Sequence, residues 1–121
     1  MKSLSLLLLG IFLCLSDGHA QSRLQEEKRK NSVVSYVEAL VTFDNQSSKV
    51  ARVYWINFNG DRELYKTLSP KETYTQSTFL THPWVVTDAE DNGLKFHMPT
   101  RKPSSVVITD SDFEPKSEAK D

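Results

Sequence analysis

Cysteine is almost absent from this sequence: the 121 residues contain one, Cys14, which lies in an apolar stretch near the N-terminus. A single thiol cannot form an intramolecular disulfide or a zinc site with several cysteine ligands. Charge of one sign is also lacking, since 15 Lys and Arg residues face 16 Asp and Glu residues. A near-neutral chain has no basic excess with which to neutralise many nucleic-acid phosphates. The composition therefore argues against disulfide scaffolds, cysteine-based metal sites and extended nucleic-acid interfaces.

Long apolar runs are lacking too, apart from one at 4–15. This run is shorter than the ~20 residues that a transmembrane helix needs. Lys2 precedes it, and a small-x-small sequence follows at 18–20. A basic start, a short apolar segment and a small-residue ending are typical of a secretory signal peptide. We therefore predict a signal peptide at 1–20 and a secreted, extracellular mature protein that contains no cysteine and inserts into no membrane.

Charged segments with few apolar residues flank the centre of the remaining chain. Residues 21–32 include one large apolar side chain, Leu24, and residues 110–121 include one aromatic, Phe113. Such segments bury too little apolar surface to offset the entropy that is lost when they become ordered. We expect a flexible charged arm at 21–32, one folded domain at 33–109 and a disordered tail at 110–121.

The central segment is typical of short strands rather than helices. Runs rich in β-branched and aromatic residues alternate with turn-forming Asn, Asp, Gly, Ser and Pro. Strands are predicted at 33–43, 50–58, 63–68, 72–79, 84–87, 94–98 and 105–109. Between the second and third of these, Asn59-Gly60 predicts a hairpin with a type I′ turn. Seven short strands at this spacing predict an all-β fold, a seven-stranded β-sandwich.

Two asparagines stand out in this strand pattern. Asn57 shares a strand face with Trp55. This placement indicates either a polar site on that face or an edge side chain that holds the neighbouring turn. Asn45 begins the glycosylation sequon Asn-Gln-Ser, so it is a candidate glycosylation site in a secreted chain.

The sequence contains no convincing catalytic or metal-binding motif. A hydrolase triad could be drawn from Thr78 or Ser77 with His82 and Asp88. No Gly-x-Ser-x-Gly element or recognisable oxyanion-hole loop accompanies these residues. The two histidines of the predicted mature chain, His82 and His97, are not at metal-ligand spacing. We therefore predict no enzymatic activity, no metal and no cofactor.

Three aromatic motifs occur in a defined order in the central segment. They are Trp-Ile-Asn-Phe-Asn-Gly at 55–60, Tyr-Lys-Thr-Leu-Ser-Pro at 65–70 and His-Pro-Trp at 82–84. In this order and spacing they resemble the β-domain of the von Hippel–Lindau tumour suppressor family. The resemblance runs without a gap from 43 to 84 and continues to 94 with a shorter loop. It implies a seven-stranded sandwich that binds a 4-hydroxyproline peptide along a sheet edge, with the hydroxyprolyl ring in a pocket.

By position, the resemblance implies a hydroxyproline pocket of five residues. These are Trp55, Tyr65, Thr78, His82 and Trp84. The two tryptophans would hold the pyrrolidine ring, and Tyr65 would bind the neighbouring backbone carbonyl. Thr78 and His82 would hydrogen-bond the hydroxyl. Plain proline would leave both partners unpaired at about 1–3 kcal/mol each, which predicts a discrimination of about 100-fold or more.

The chain departs from the family pattern at several positions around this pocket. Thr78 stands where the family has serine, Ser77 where it has histidine, and Phe79 where it has tyrosine. Lys66 stands in place of a proline next to Tyr65. We expect these changes to affect the preference for flanking peptide residues more than the pocket. The family also has an asparagine in the turn at residue 45 for structural reasons, which gives that sequon a second interpretation.

The helical domain with which the family recruits elongin and a ubiquitin-ligase scaffold has no counterpart in this sequence, since 110–121 shows no apolar helical pattern. We therefore expect no elongin or ubiquitin-ligase partner and no nucleic-acid partner. The leading interpretation is a secreted, non-enzymatic binding module for a hydroxyproline-containing peptide or extracellular protein, with collagen-like matrix as the abundant source. The alternative is a secreted structural or interaction protein that keeps the fold without a working hydroxyproline pocket.

Overall fold

The computed structural model describes residues 23–28 and 30–115. The predicted signal peptide at 1–20 lies outside the described residues, and so do residues 21, 22, 29 and 116–121. Within the described ranges, no helix is both long enough and apolar enough to cross a membrane.

Seven strands form two sheets that pack face to face. Their bounds are β1 Glu38–Asn45, β2 Ala51–Ile56, β3 Arg62–Leu68, β4 Thr73–Phe79, β5 Trp84–Thr87, β6 Gly93–His97 and β7 Ser104–Ile108. The first sheet has the order β4-β1-β7 and the second the order β3-β2-β5-β6. β1 and β7 run parallel, and the other neighbouring strands are antiparallel. The predicted seven-stranded all-β sandwich is confirmed.

The core lies between the sheets and follows from the two-residue period of the strands. Ala39, Val41 and Phe43 on β1 point inward and are buried, because alternate side chains of a strand lie on opposite faces. Phe43 meets Trp84 of the opposite sheet, with 5.7 Å between the ring centroids. This contact anchors Trp84, one of the predicted pocket residues, in the core.

The N-terminal segment (residues 23–28 and 30–32) differs from the predicted flexible arm, because it packs against the four-stranded sheet. It contains one helical turn, α1, at Gln25–Lys28. Glu27 in this turn is 1% exposed, and its carboxylate lies 2.7 Å from Nε of Arg62 on β3. Ser32 donates a hydrogen bond of 2.7 Å to a carbonyl of β2. The predicted flexible arm was based on the small number of apolar side chains. It did not anticipate the ion pair and the polar contacts that attach this segment.

The same segment covers the face of the second sheet that is turned away from the core. Tyr54 and Ile56 on β2 are buried on that face, whereas Val53 packs in the core cluster. The guanidinium of Arg62 lies over the Tyr54 ring, 5.6 Å from its centroid. Because both faces of the sheet are covered, β2 and β5 are buried on both sides rather than in alternation.

The first strand begins at Glu38, later than the predicted start at Val33. Residues 33–37 lie instead beside the loop that follows β4. The Leu80 N–H donates to the carbonyl of Val37 at 3.0 Å, and the Val33 N–H donates to the loop at 3.4 Å. The β-branched composition of 33–37 predicted a strand, although its side chains are largely exposed.

Residues 110–115 also differ from the predicted disordered tail. A 3₁₀ turn spans Asp110–Phe113, and Phe113 packs against the core cluster. The Asp110 carboxylate accepts the backbone N–H of Ser48 at 2.8 Å. The sequence contained the aromatic residue but no signal that it reaches the core. The remainder of the predicted tail lies outside the described residues.

The hairpin between β2 and β3 has a different turn from the predicted type I′. Gly60 has a φ of 85°, whereas Asn59 does not have a positive φ. The Gly60 N–H donates to the carbonyl of Asn57 at 3.0 Å, which is the pattern of a type I turn followed by a left-handed glycine. Oδ1 of Asn57 accepts the backbone N–H groups of Asn59 and Asp61, both at 2.9 Å. Asn57 therefore holds the turn, which is the second of its two interpretations.

Candidate functional site

A cleft opens between the edges of the two sheets, where β4 of the first approaches β3 of the second. Its volume is about 150 Å³. All five residues of the predicted pocket line it: Trp55, Tyr65, Thr78, His82 and Trp84. They come from β2, β3, β4, the turn after β4, and β5. The fold therefore brings these separate positions together at one place.

The floor of the cleft is polar and recessed. Thr78 is 5% exposed and Trp84 is 2% exposed. Nε1 of Trp84 donates a hydrogen bond to Oγ1 of Thr78 at 3.1 Å. The Thr78 hydroxyl thus accepts one hydrogen bond and keeps its own proton, which no described residue accepts. The floor therefore offers a hydrogen-bond donor to a group that enters the cleft.

The walls of the cleft are aromatic rings that support one another. Trp55 and Tyr65 meet edge to face with 6.2 Å between centroids, and Tyr65 meets Trp84 in the same way at 5.0 Å. Edge-to-face contacts of this kind stabilise ring positions as well as burying area. The indole N–H of Trp55 is shielded from solvent and has no hydrogen-bond partner among the described residues. The walls are therefore held in position by contacts between their own rings.

The imidazole of His82 lies within a cluster of rings. Its centroid is 5.4 Å from Trp55, 5.5 Å from Phe58 and 5.2 Å from Phe79. Burial lowers the pKa of His82 below its ordinary value of 6.5, because an apolar surrounding disfavours the imidazolium. Near neutral pH the ring is therefore uncharged, with one acceptor nitrogen and one N–H donor. No described residue hydrogen-bonds either nitrogen, so both remain available to a ligand.

The free edge of β4 runs beside the cleft, since β4 is the outermost strand of its sheet. Antiparallel strands alternate between residues bonded to the partner strand and residues that direct their backbone groups away from it. Leu80 continues the register of β4 with β1, and its N–H donates to the carbonyl of Val37. The alternate residues Thr75, Ser77 and Phe79 therefore direct their backbone groups away from β1. An extended peptide can pair with such an edge.

Gln76 is a cleft residue that the sequence reasoning missed. Its carbonyl oxygen accepts the hydroxyl of Tyr74, and its Nε2 donates to the backbone carbonyl of Ser77 at 2.7 Å. The available signal was the two-residue period of β4, which places Gln76 on the same face as Thr78. Gln76 adds an amide to the rim of the cleft, beside the free edge.

Lys66, which stands where the family pattern has a proline, closes one end of the gap between the sheet edges. Its ammonium lies 3.5 Å from the Glu72 carboxylate and 5.6 Å from the centroid of the Tyr74 ring. A backbone hydrogen bond from Ser69 lowers the pKa of Glu72, and the charge of Lys66 acts in the same direction. We call these three side chains, Lys66, Glu72 and Tyr74, the Lys66 clasp.

A larger depression of about 480 Å³ lies at the same end of β4, between β4, β1 and the start of β7. Leu40, Arg101 and Pro103 line it together with Ser77–Phe79. The hydroxyl of Thr78 bonds to the indole of Trp84, which lines the smaller cleft and not this depression. The smaller cleft is therefore the better candidate for recognising a small ring that carries a hydroxyl group.

The structure corrects the glycosylation prediction for Asn45. Its side chain is 0% exposed, and its amide nitrogen donates to the carbonyls of Lys49 and Ser69 at 2.8 Å and 3.0 Å. Its carbonyl oxygen accepts the backbone N–H and the hydroxyl of Ser47. A glycan on this nitrogen would remove a hydrogen-bond donor and would have to pass through packed side chains. Asn45 therefore has the structural role in its turn.

The side chains considered for a hydrolase triad have other partners. Thr78 is bonded to an indole N–H and not to His82. Asp88 accepts two backbone N–H groups of its own turn, both at 2.9 Å. Within 23–28 and 30–115, no group of three or more metal-ligating side chains is placed to hold a metal ion.

A comparison with protein families matches most of the described sandwich. The family model of the VHL beta domain matches residues 30–97, which is more than half of the chain. This range contains every residue that lines the cleft and all strands except β7. No curated protein sequence matches the chain.

Proposed function

The chain belongs to the VHL beta-domain family, and we propose that it is a secreted, non-enzymatic binding module for hydroxyproline-containing peptides or proteins. In VHL this domain is the module that recognises hydroxyproline-containing substrates. The helical elongin-binding domain of that protein is not evident in the described residues, whose one α-helix is the four-residue α1. Recognition, and not ubiquitination, is therefore the function that we carry over to this chain.

Two complementary hydrogen-bonding groups at the cleft support this proposal. Thr78 keeps a proton to donate after accepting the bond from Trp84, and neutral His82 keeps a nitrogen that can accept. One hydroxyl group can accept from Thr78 and donate to His82 at the same time. A hydroxyprolyl ring carries such a hydroxyl on an apolar frame that suits the aromatic walls. This combination of groups is the observation on which the proposed function rests.

Discrimination against unmodified proline follows from the same two groups. A prolyl ring would fill the apolar space but leave the Thr78 donor and the His82 acceptor without partners. Each unpaired buried group costs about 1–3 kcal/mol. Two such losses correspond to a preference for hydroxyproline of about 100-fold or more.

Affinity for the rest of the peptide would come from the edge of β4. The backbone N–H of Ser77 points away from β1 and can pair with an extended chain lying along the strand. Tyr65, on the opposite side of the cleft, would donate its hydroxyl to the carbonyl next to hydroxyproline. Backbone pairing tolerates different side chains, so the ring supplies the selectivity and the edge supplies general affinity.

The extracellular part of the proposal rests on the predicted signal peptide at 1–20. Outside the cell, hydroxyproline is abundant in collagen-like chains, where it recurs in the Gly-X-Y repeat. A hydroxyproline binder in that compartment would therefore meet collagen-like protein as its most abundant source of ligand.

The test is a binding measurement with paired peptides that differ only in proline or 4-hydroxyproline at one position. The protein is purified from cells that express the whole chain, and titration calorimetry gives the two dissociation constants. We expect the hydroxyproline peptide to bind at least tenfold more tightly, which corresponds to about 1.4 kcal/mol.

A matched pair of histidine variants controls this measurement. His82→Ala should abolish the preference, whereas His97→Ala should retain it, because His97 bonds to Ser104 and does not line the cleft. Circular dichroism verifies that both variants are folded. Equal binding of the two peptides to folded wild-type protein would overturn the proposal and favour a module that kept the fold without a working pocket.

A further inference from the structure

We infer that residues 31–33, which do not line the cleft, are positioning residues for His82. These three residues, which we call the bridging segment, hold together the two turns that carry the rings at the rim of the cleft. The inference rests on the proposed function, because it assigns to this segment a part of the preference for hydroxyproline. Three observations support it: the way in which His82 is held, the separation of the two turns, and the bonds from the bridging segment to both.

The imidazole of His82 is held by packing and by its own backbone. Its ring packs against Trp55, Phe58 and Phe79, and no described residue hydrogen-bonds to its nitrogens. A hydrogen bond to a ligand hydroxyl needs a distance of about 3 Å between the heavy atoms and is lost by about 3.6 Å. A small displacement of the turn that carries His82 therefore removes the acceptor from the reach of the ligand.

The two turns at the rim lie beyond the paired part of the second sheet. One is the hairpin turn after β2, which carries Phe58, and the other is the turn between β4 and β5, which carries His82. Just past the last registered pair of β2 and β5, the Ile56 N–H donates to the carbonyl of Pro83 at 2.9 Å. No backbone hydrogen bond between described residues joins the two turns directly. Their relative position therefore depends on other contacts.

The bridging segment bonds to the hairpin turn on one side. The Ser32 N–H donates to the carbonyl of Asn57 at 3.0 Å, and the buried Ser32 hydroxyl donates to the carbonyl of Ile56 at 2.7 Å. Nδ2 of Asn31 donates to the carbonyl of Phe58 at 3.2 Å. Three successive carbonyls thus accept bonds from this segment, which fixes the backbone that carries Phe58.

The bridging segment bonds to the other turn through its last residue. The Val33 N–H donates to the carbonyl of Thr81 at 3.4 Å, and the Thr81 hydroxyl donates in return to the carbonyl of Val33. Thr81 directly precedes His82, so these bonds hold the backbone next to the imidazole. Three consecutive residues span at most about 10 Å, which limits the separation of the two turns. Phe58 is thereby kept edge to face with His82, with 5.5 Å between centroids.

The preference between two ligands separates a positioning role from a purely structural one. In the proposed function, a proline peptide uses the aromatic walls and the β4 edge, whereas a hydroxyproline peptide also uses the acceptor of His82. Displacement of His82 should therefore weaken the hydroxyproline peptide and leave the proline peptide nearly unchanged. A segment that only stabilised the fold would affect the two peptides equally.

The first test cuts the bridging segment from each turn in the whole chain of the protein. Thr81→Val keeps the side-chain shape and removes the bond to Val33, and Asn31→Ala removes the bond to the hairpin turn. Titrations with the paired proline and 4-hydroxyproline peptides measure the preference. We expect each variant to reduce it at least fivefold, and Thr81→Ser, which retains the hydroxyl, to keep it within about twofold of the wild type.

Thr100→Val is the matched control for the threonine substitution. The Thr100 hydroxyl also donates to a backbone carbonyl, that of Lys102 at 2.7 Å, but Thr100 lies in the loop before β7 and does not line the cleft. We expect this variant to keep the wild-type preference. Circular dichroism verifies that every variant is folded.

The second test observes His82 without any ligand. Its ring-proton NMR signals are identified by their loss in His82→Ala, and the neighbouring aromatic rings displace these signals from the positions of an exposed histidine. We expect Thr81→Val and Asn31→Ala to shift the His82 signals toward those of an exposed histidine. Thr81→Ser and Thr100→Val should leave them in place.

Two results with a selective wild type would overturn the inference. The first is a folded Thr81→Val or Asn31→Ala variant that keeps the wild-type preference, and the second is an equal weakening of both peptides. A wild type without any preference would instead overturn the proposed function. The NMR signals would then decide the inference alone, because unchanged signals in both variants would overturn it and shifted signals would support the positioning of His82.

Discussion

At the scale of single residues, the Thr78 hydroxyl has two functions, which one substitution removes together and a matched substitution retains. Its oxygen accepts the Trp84 indole N–H in the buried floor, and its proton is available to a ligand. Thr78→Val keeps the shape but removes both functions. We expect it to lower the free energy of unfolding by about 1–3 kcal/mol, because the indole N–H is left unpaired. We also expect the preference for hydroxyproline over proline to disappear.

Thr78→Ser is the matched control, because it retains the hydroxyl and removes only a methyl group. Urea unfolding gives the stability of both variants, and the paired peptides give their selectivity. We expect the serine variant to keep the preference of the wild type. A valine variant that retains this preference would contradict the assignment of Thr78 to the ligand hydroxyl.

His82 makes selectivity depend on pH in a defined direction. Burial lowers its pKa, so the neutral form that can accept a hydrogen bond predominates above 6.5. As the pH falls below 6.5 toward this lowered pKa, the ring gains a proton and loses its acceptor. The ring contacts Trp55, Phe58 and Phe79, none of which titrates in this range. We therefore expect a constant preference for hydroxyproline above neutral pH and a falling preference on acidification.

The control uses the second histidine whose pKa is lowered by burial, His97. Paired-peptide titrations across this pH range are made for the wild type, His97→Gln and His82→Gln. His97→Gln should reproduce the wild-type profile, whereas His82→Gln should show a flat one, because glutamine does not titrate. If the preference of His82→Gln still depends on pH, a group other than His82 causes that dependence.

At the scale of elements, the strands were predictable because each has a local signal. Alternating apolar residues in β1 and turn residues between β2 and β3 identify strand and hairpin without reference to the rest of the chain. The predicted start of β1 was wrong. Composition favours a strand for 33–37, but these residues hydrogen-bond with the loop after β4, which no local signal indicates. The N-terminal segment also differs from the predicted flexible arm. Its attachment depends on Arg62, which is distant in sequence, so no local signal indicates it.

The attachment of α1 through Glu27 and Arg62 makes this segment part of the folded unit. The side chain of Glu27 is fully buried and that of Arg62 nearly so, and they meet at 2.7 Å. Glu27→Ala removes the carboxylate that accepts hydrogen bonds from Nε of Arg62 at 2.7 Å and from Nη2 at 2.9 Å, and removing one member of a buried ion pair is strongly destabilising. We expect Glu27→Ala to lower the free energy of unfolding by about 3 kcal/mol or more. Urea unfolding followed by tryptophan fluorescence measures this change.

Arg23→Ala provides the comparison within the same element. Arg23 also pairs with Glu27, at 3.0 Å, but its side chain is partly exposed to solvent. Exposed pairs contribute about 0–1 kcal/mol, so this variant should be close to the wild type. In the double variant Glu27→Ala and Arg62→Ala, the loss should be smaller than the sum of the single losses. Additive losses would mean that the two side chains stabilise the fold independently.

At the scale of the whole molecule, the cleft is a joint property of both sheets. The two-residue period of β4 predicts that Gln76 and Thr78 lie on one face. No local pattern predicts that this face meets β3 of the other sheet. Family resemblance supplied the five pocket positions, and the structure shows that they line one cleft. The Lys66 clasp and Gln76 were missed for the same reason, because each depends on how the two sheets meet.

Removal of the predicted signal peptide concerns the whole molecule, because it sets the residue at which the mature chain begins. Cleavage of the predicted signal peptide after Ala20 would remove Cys14 and keep all of the N-terminal segment that packs on the second sheet. We therefore expect exported protein with the intact mass of Gln21–Asp121 and an unfolding free energy that reducing agents do not change. Leu8→Arg with Leu9→Arg, which places charges in the apolar run, should keep the protein inside the cell. Recovery of the wild type from the cytosol with residues 1–20 intact would contradict secretion, and the search for its hydroxyproline ligand would then move to intracellular proteins.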